Sequence, residues 1–163
     1  DDSLKGTPRR VARMYVEEIF SGLNAKNFPV ISVFENTYGY DEMLVEKNMT
    51  FYSYCEHHFA PIIGTAHVAY IPGKKVIGLS KINRLVQYYA KRPQVQERLT
   101  VDIAAGLKGV LQIEDVAVHI QADHLSVSSR GIGDTNSATC TSYFGGKFQN
   151  IENRKQFLLK LSS

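Results

Sequence analysis

The feature that most constrains this chain is a run of alternating character that ends on a cluster of reactive side chains. From Met43 the apolar residues recur at every second position: Met43, Val45, Met49 and Phe51 fall on one side, and Leu44, Glu46, Asn48 and Thr50 on the other. Period two is the signature of a half-buried strand. This strand delivers Cys55-Glu56-His57-His58. Cys55 and His58 form a C-x-x-H pair, a spacing that lets a thiolate and an imidazole turn toward one metal ion. His57 lies between them and suits proton transfer near neutral pH. Glu56 is placed to orient an imidazole. The same residues also read as a turn with two surface histidines and a buried free cysteine. Cys55 is one of only two cysteines, so a Cys-rich structural zinc knot is excluded and any metal site here is an open one.

The remaining pattern builds outward from that strand. Thr7-Pro8 reads as a helix N-cap followed by proline in the first turn. Val11, Tyr15 and Ile19 then give one broad apolar helical face, stopped at Gly22. Residues 24–40 read mainly as loop. Beyond Pro61 and Gly64, alternation resumes from Thr65 to Ile71, and Pro72-Gly73-Lys74 makes a turn. Val76 to Leu79 leads to Ser80 as an N-cap. Ile82, Leu85, Val86 and Tyr89 mark one helix. After Pro93, Val95, Leu99, Ile103, Leu107 and Val110 mark a longer one. Val116, Val118 and Ile120 restart strand patterning, which runs toward Arg130. Gly131 to Asp134 predicts a hairpin turn, residues 139–148 a returning strand, and Phe157, Leu158 and Leu161 a closing helix. Two hairpins joined by a helical pair predict an α+β domain: a four-stranded antiparallel sheet with two helices packed on one face, plus the N-terminal helix. The whole chain, 1–163, reads as one domain, with residues 1–40 as helix and loop and residues 41–163 as the core. Such a sheet has two open edges, which a ring of subunits forming a continuous barrel would remove.

Composition narrows the function classes. At 163 residues the chain can bury a sizeable core. A formal net charge of +3 is too small to imply nucleic acid. No apolar run approaches the ~20 residues that span a bilayer. Two cysteines give no disulfide framework, which favours a reducing cytoplasm. Three further clusters carry chemistry. Ser80 and Lys81 at a helix start, with Arg84 one turn later, form either a phosphate cradle or an ordinary cap with solvated charges. Gln96 and Glu97 open the next helix. Glu97 suits the helix dipole there, and it also suits the paired N–H donors of a planar base such as guanine. Asp123-His124 and Arg130 flank the second hairpin.

The runs CEHHFAPIIGTAHVAYIP, VIGLSKINRLVQYYAKRPQVQERLT and NSATCTSYFGG, with TPRRVARMY near the start, closely resemble GTP cyclohydrolase I over nearly the whole chain. The resemblance implies that family's tunnelling fold and its reaction: hydrolysis of GTP at C8 of the purine, release of formate and reclosure to 7,8-dihydroneopterin triphosphate, in folate or pterin synthesis. On matching positions Cys55 and His58 would ligate Zn2+, and a zinc-bound water would attack C8. His57 would move protons during ring opening, and His124 and Ser80 would assist the later rearrangement. Gln96 and Glu97 would hold the guanine edge, and Lys81, Arg84 and Arg130 the triphosphate. Family members assemble as a decamer of two face-to-face pentamers with sites between subunits.

One position departs from the family. Its third zinc ligand is a cysteine two residues after the histidine matched by His124; here that residue is Ser126. A neutral, hard hydroxyl is a poor substitute for thiolate. The expectation is therefore a weak or empty zinc site with nucleotide binding retained. A non-catalytic guanine-nucleotide or pterin-binding relative, and a regulatory assembly subunit, are the alternatives. Cys140 lies on the returning strand. It reads as a small buried hydrophobe, or as a cross-strand neighbour of Ser126 if the turn centres near Gly133.

Overall fold

A computed structural model describes residues 1–163. Its central sheet has the order β5-β2-β3-β6-β7, with β2 Leu44–Cys55, β3 Pro61–Tyr70, β5 Pro93–Gln94, β6 Val116–His124 and β7 Thr139–Phe144. The four long strands are antiparallel. Only the two-residue β5 runs parallel, pairing with Tyr54 and Cys55 at the end of β2. Helices α2 (Leu79–Ala90) and α3 (Gln96–Leu111) cover one face. Phe51, Ile62, Ala66, Val68, Val118 and Ile120 from that face pack against Leu85, Val86, Leu99 and Ile103. The α+β class, the antiparallel sheet of four long strands and the two helices on one face are as the sequence predicts.

Four local departures have physical causes. The first lies in residues 24–40, which are not all loop: β1 (Val33–Glu35) pairs antiparallel with β4 (Lys75–Ile77) in a small second sheet. The second lies in β2, which carries a bulge between Glu46 and Met49, where Asn48 adopts φ 62°. A bulge reverses side-chain alternation. Met43 and Val45 therefore do not share a face with Met49 and Phe51. They join Ala69, Ile71, Ala117, Phe148 and Phe157 in a second core beneath α5 (Ile151–Leu161). The third concerns β6, which stops at His124 and does not run toward Arg130; residues 125–128 coil into the short helix α4. Correspondingly β7 ends at Phe144, and Gly146–Gln149 form a 3-10 turn. The fourth concerns helix starts. Gly78, not Ser80, is the N-cap of α2, and Gly6, not Thr7, that of α1 (Thr7–Arg13).

Helix α1 continues into a π-helical stretch, Met14–Ile19, and neither segment contains a buried residue. Its apolar face is thus half covered, by Tyr54 and Phe59 through Tyr15 and Phe20. No helix is long and apolar enough to cross a membrane.

Candidate functional site

Strand register brings part of the predicted site together. Ser53 opposes Ile62, and Ile62 opposes His124. Cross-strand partners share a face, so Cys55 and His124 both end their strands on the helix-covered side, two strand spacings apart across the sheet with Cys55 two residues further along, roughly 12 Å in all. Cys55 is buried, and the turn after it closes on itself: Cys55 N–H donates to Ala60 C=O (2.9 Å) and Phe59 N–H to Cys55 C=O (2.8 Å). Glu56 N–H donates to Gln94 C=O (2.9 Å), tying the turn to β5. His57 and His58 are exposed, their ring centroids 6.4 Å apart. The His57 N–H approaches Cys55 Sγ at 3.4 Å, and its Nδ1 stands 3.5 Å from the same sulfur. Glu56 does not orient an imidazole as expected. It pairs with Arg98, which holds its carboxyl below the usual carboxylate range. Arg98 also donates to Pro93 C=O (2.9 Å) and Gln94 Oε1 (3.0 Å), so α3 clamps the turn and β5 together.

Gln96 is buried at the start of α3, and both ends of its carboxamide are hydrogen-bonded. Its Nε2 donates toward Thr139 C=O (2.9 Å), Thr141 Oγ1 (3.1 Å) and Ile120 C=O (3.3 Å). An atom facing two carbonyl oxygens must be the NH2 group. Oε1 therefore faces His124 Nε2 at 2.7 Å, and His124 Nε2 must carry the proton. Neutral His124 is left with its lone pair on Nδ1. Burial pushes its pKa below the ordinary value, against the opposing pull of the Glu97 and Asp123 carboxylates. Thr100 completes the lattice, with its hydroxyl on Gln96 C=O (2.9 Å) and 2.8 Å from Thr141 Oγ1. In this chain the Gln96 carboxamide is turned toward His124 and the strand carbonyls, with one lone pair of Oε1 unused. Glu97, the next residue, is exposed on the first turn of α3. Arg130 is exposed beyond α4 and donates to Ser126 C=O (3.3 Å).

The structure does not bring Ser80, Lys81 and Arg84 to this end. The last turn of α2 lies at Ser53, whose hydroxyl donates to Ala90 C=O (2.7 Å). Its first turn follows β4 at the far end of the sheet. Twelve residues of α-helix span ~18 Å, so one protomer holds the two groups apart.

The donor set does not fit a three-ligand zinc site. No group of three or more His, Cys, Asp or Glu side chains converges anywhere in the chain. Cys55 and His58 would supply two ligands at most, and Ser126 sits half-buried in α4 with only a hydroxyl. Cys140 does not oppose Ser126. It pairs with Gln121 on the face away from His124, and it is exposed, not a buried hydrophobe. The short helix α4 displaces Ser126 from the ladder, which removes the register on which a cross-strand ligand depends. Gln94, Arg98, Thr100 and Thr141 escape a reading of the sequence; RPQVQER supplied the Gln and Arg signal, but the threonines carry none.

Replacing Gln96 by Met should leave His124 Nε2–H and the Thr139 carbonyl without partners and cost about 1–3 kcal/mol of stability. In nitrogen NMR the His124 tautomer should change from pure Nε2–H to a mixture. An unchanged tautomer would show that Gln96 does not hold the ring.

The family model described as GTP cyclohydrolase I matches residues 1–162. A GTP cyclohydrolase 1 from Flavobacterium johnsoniae is 62% identical over 97% of this chain and 71% of the relative. One from Shewanella amazonensis is 54% identical over 97% of this chain and 74% of the relative. Among solved structures, an archaeosine synthase QueF-Like aligns with TM-score 0.48 and 19% identity, over 62% of this chain and 90% of its own. A dihydroneopterin aldolase from Burkholderia thailendensis, bound to guanine, aligns with TM-score 0.42 and 16% identity, over 64% and 90%. The chain belongs to the GTP cyclohydrolase I family.

Proposed function

We propose that this protein binds GTP and opens its purine ring to give formate and 7,8-dihydroneopterin triphosphate, in pterin or folate synthesis in the cytoplasm. The observation that carries this reading is the locked Gln96–His124 pair beside Glu97, at the same end of the sheet as the Cys55–His58 turn. His124 presents Nδ1 to accept a proton. His57, exposed on the turn, moves a second proton during ring opening. The Glu97 carboxylate accepts the guanine N1–H and N2–H2 donors. Lys81, Arg84 and Arg130 take the triphosphate, and Ser80 assists ring closure.

Ser80, Lys81 and Arg84 must come from another subunit, because α2 keeps them away from His124 within one chain. The open sheet edges favour the same assembly. The outer edge of β7 is unpaired, and β5 covers only Tyr54 and Cys55 of β2. We therefore place the site between copies of a ring-shaped homo-oligomer, a decamer of two pentamers. Light scattering at micromolar concentration should give a mass near ten chains; a monomeric mass would refute shared sites.

Guanine nucleotides should bind far better than adenine nucleotides, which lack the paired donors. Glu97→Gln should cost about 2–4 kcal/mol of GTP binding, as for other broken charged hydrogen bonds. Equal affinity for GTP and ATP in the parent protein would rule out this role for Glu97.

Because Ser126 breaks the ligand set, the parent protein should hold little zinc, turn over GTP slowly and still bind it. Ser126→Cys should restore stoichiometric zinc and raise formation of the pterin product, while Cys140→Ser should change neither. Full turnover by the parent with no gain in Ser126→Cys would overturn the assignment of Ser126. GTP binding without any product in Ser126→Cys would identify a nucleotide-binding relative instead of an enzyme.

A further inference from the structure

The N-terminal segment meets the reactive turn at a single polar contact. Tyr15 sits on the π-helical stretch, whose i to i−5 bond runs from Phe20 N–H to Tyr15 C=O (2.9 Å). Its hydroxyl donates to Phe59 C=O at 2.9 Å, across 44 residues of chain. Phe59 directly follows His58 and has φ 50°, one of only three non-glycine residues with positive φ. A bulky aromatic rarely occupies that region, and such residues persist where their surroundings force them. Three restraints act on Phe59. Its N–H is spent on Cys55 C=O (2.8 Å). Its ring lies 5.1 Å from Phe20 and 5.8 Å from Tyr15, centroid to centroid. Its carbonyl is fixed by the Tyr15 hydroxyl. The contact is not core packing, since neither α1 nor the π-helical stretch buries a residue.

We infer that Tyr15 is a positioning residue: its hydroxyl holds Phe59 in the left-handed conformation and so sets where the turn presents Cys55, His57 and His58. The inference rests on the proposed function only in taking that turn as part of the reacting site. A π turn adds one residue to a helical turn and changes the angle at which later side chains leave the axis; such turns recur at functional sites. Here it brings Tyr15 and Phe20 together onto Phe59. The π-helical stretch, anchored beyond Phe20 by Gly22 N–H on Lys91 C=O (2.8 Å), thereby governs the geometry of the reactive turn.

Tyr15→Phe in the full chain removes the hydroxyl and keeps the ring packing. Hydrogen exchange at the Phe59 and Cys55 amides should accelerate at least tenfold, and so should alkylation of Cys55 by iodoacetamide, resolved from Cys140 by peptide mass. Amides of the β3–β6 ladder should keep their protection. Local rates within twofold of the parent would overturn the inference, as would a uniform acceleration across the ladder. In a Ser126→Cys background, Tyr15→Phe should lower kcat for GTP at least tenfold with KM unchanged, whereas a change in KM alone would overturn it. A background without turnover would refute the proposed reaction and leave the exchange and alkylation rates to decide the role of Tyr15.

Discussion

The site depends on the burial of one sheet face beneath α2 and α3. Phe51, Ile62, Ala66, Val68, Val118 and Ile120 are each within 1% of full burial. A one-residue slip in pairing would turn such a row outward. At about 1.5–3 kcal/mol per large side chain, the loss would be on the order of 10 kcal/mol, comparable with the whole stability of an ordinary domain. Register is therefore not negotiable. Once it is set, Ser53, Ile62 and His124 stand in one row, Cys55 lies one step beyond, and Cys140 points away. The placement of His57, His58 and His124 is a by-product of packing that they do not supply, whereas Cys55 is itself part of the core.

The bulge in β2 lets one strand serve two cores. Asn48 turns back on itself at φ 62°, and its N–H donates to His67 Nδ1 at 3.1 Å. Before it, Met43 and Val45 meet α5; after it, Met49 and Phe51 meet α2 and α3. The sequence shows the alternation on both sides of the bulge but not the change of phase, because period two looks the same whichever face is buried. Asparagine tolerates left-handed backbone, yet one asparagine among several is a weak cue. The end of β6 is a similar case. Apolar alternation predicts that a strand continues, but residues 125–129 satisfy their backbone locally, with Ser129 N–H on Leu125 C=O at 2.9 Å.

What was legible at the site follows sequence distance. Cys55, His57 and His58 lie within one turn, so their spacing alone announced them. Gln96 and His124 lie 28 residues apart, and nothing local says that the carboxamide serves the imidazole. The family resemblance places Gln96 at the base edge; the geometry gives its carboxamide four partners inside the protein and leaves one lone pair of Oε1 free. Buried amides are expensive unless every donor and acceptor is met. A buried glutamine with both ends of its carboxamide hydrogen-bonded is a fixed part of the scaffold, and the imidazole it holds inherits that rigidity.

Charge and chemistry are divided along α2. Lys81 and Arg84 stand near its first turns, while Glu97, His57 and His124 gather beyond its last. A ligand with a neutral, donor-rich ring and a polyanionic tail matches both groups, but no single copy presents them to one molecule. In the proposed ring, two copies laid edge to edge would, with α2 of one set against the strand ends of the next. Pairing of free sheet edges and completion of the site are then the same event. The outer edge of β7, Thr139–Phe144, carries neither charge nor proline, which suits an edge that pairs with another copy in the proposed ring. In the proposed enzyme, assembly is a condition of substrate recognition and not an addition to it.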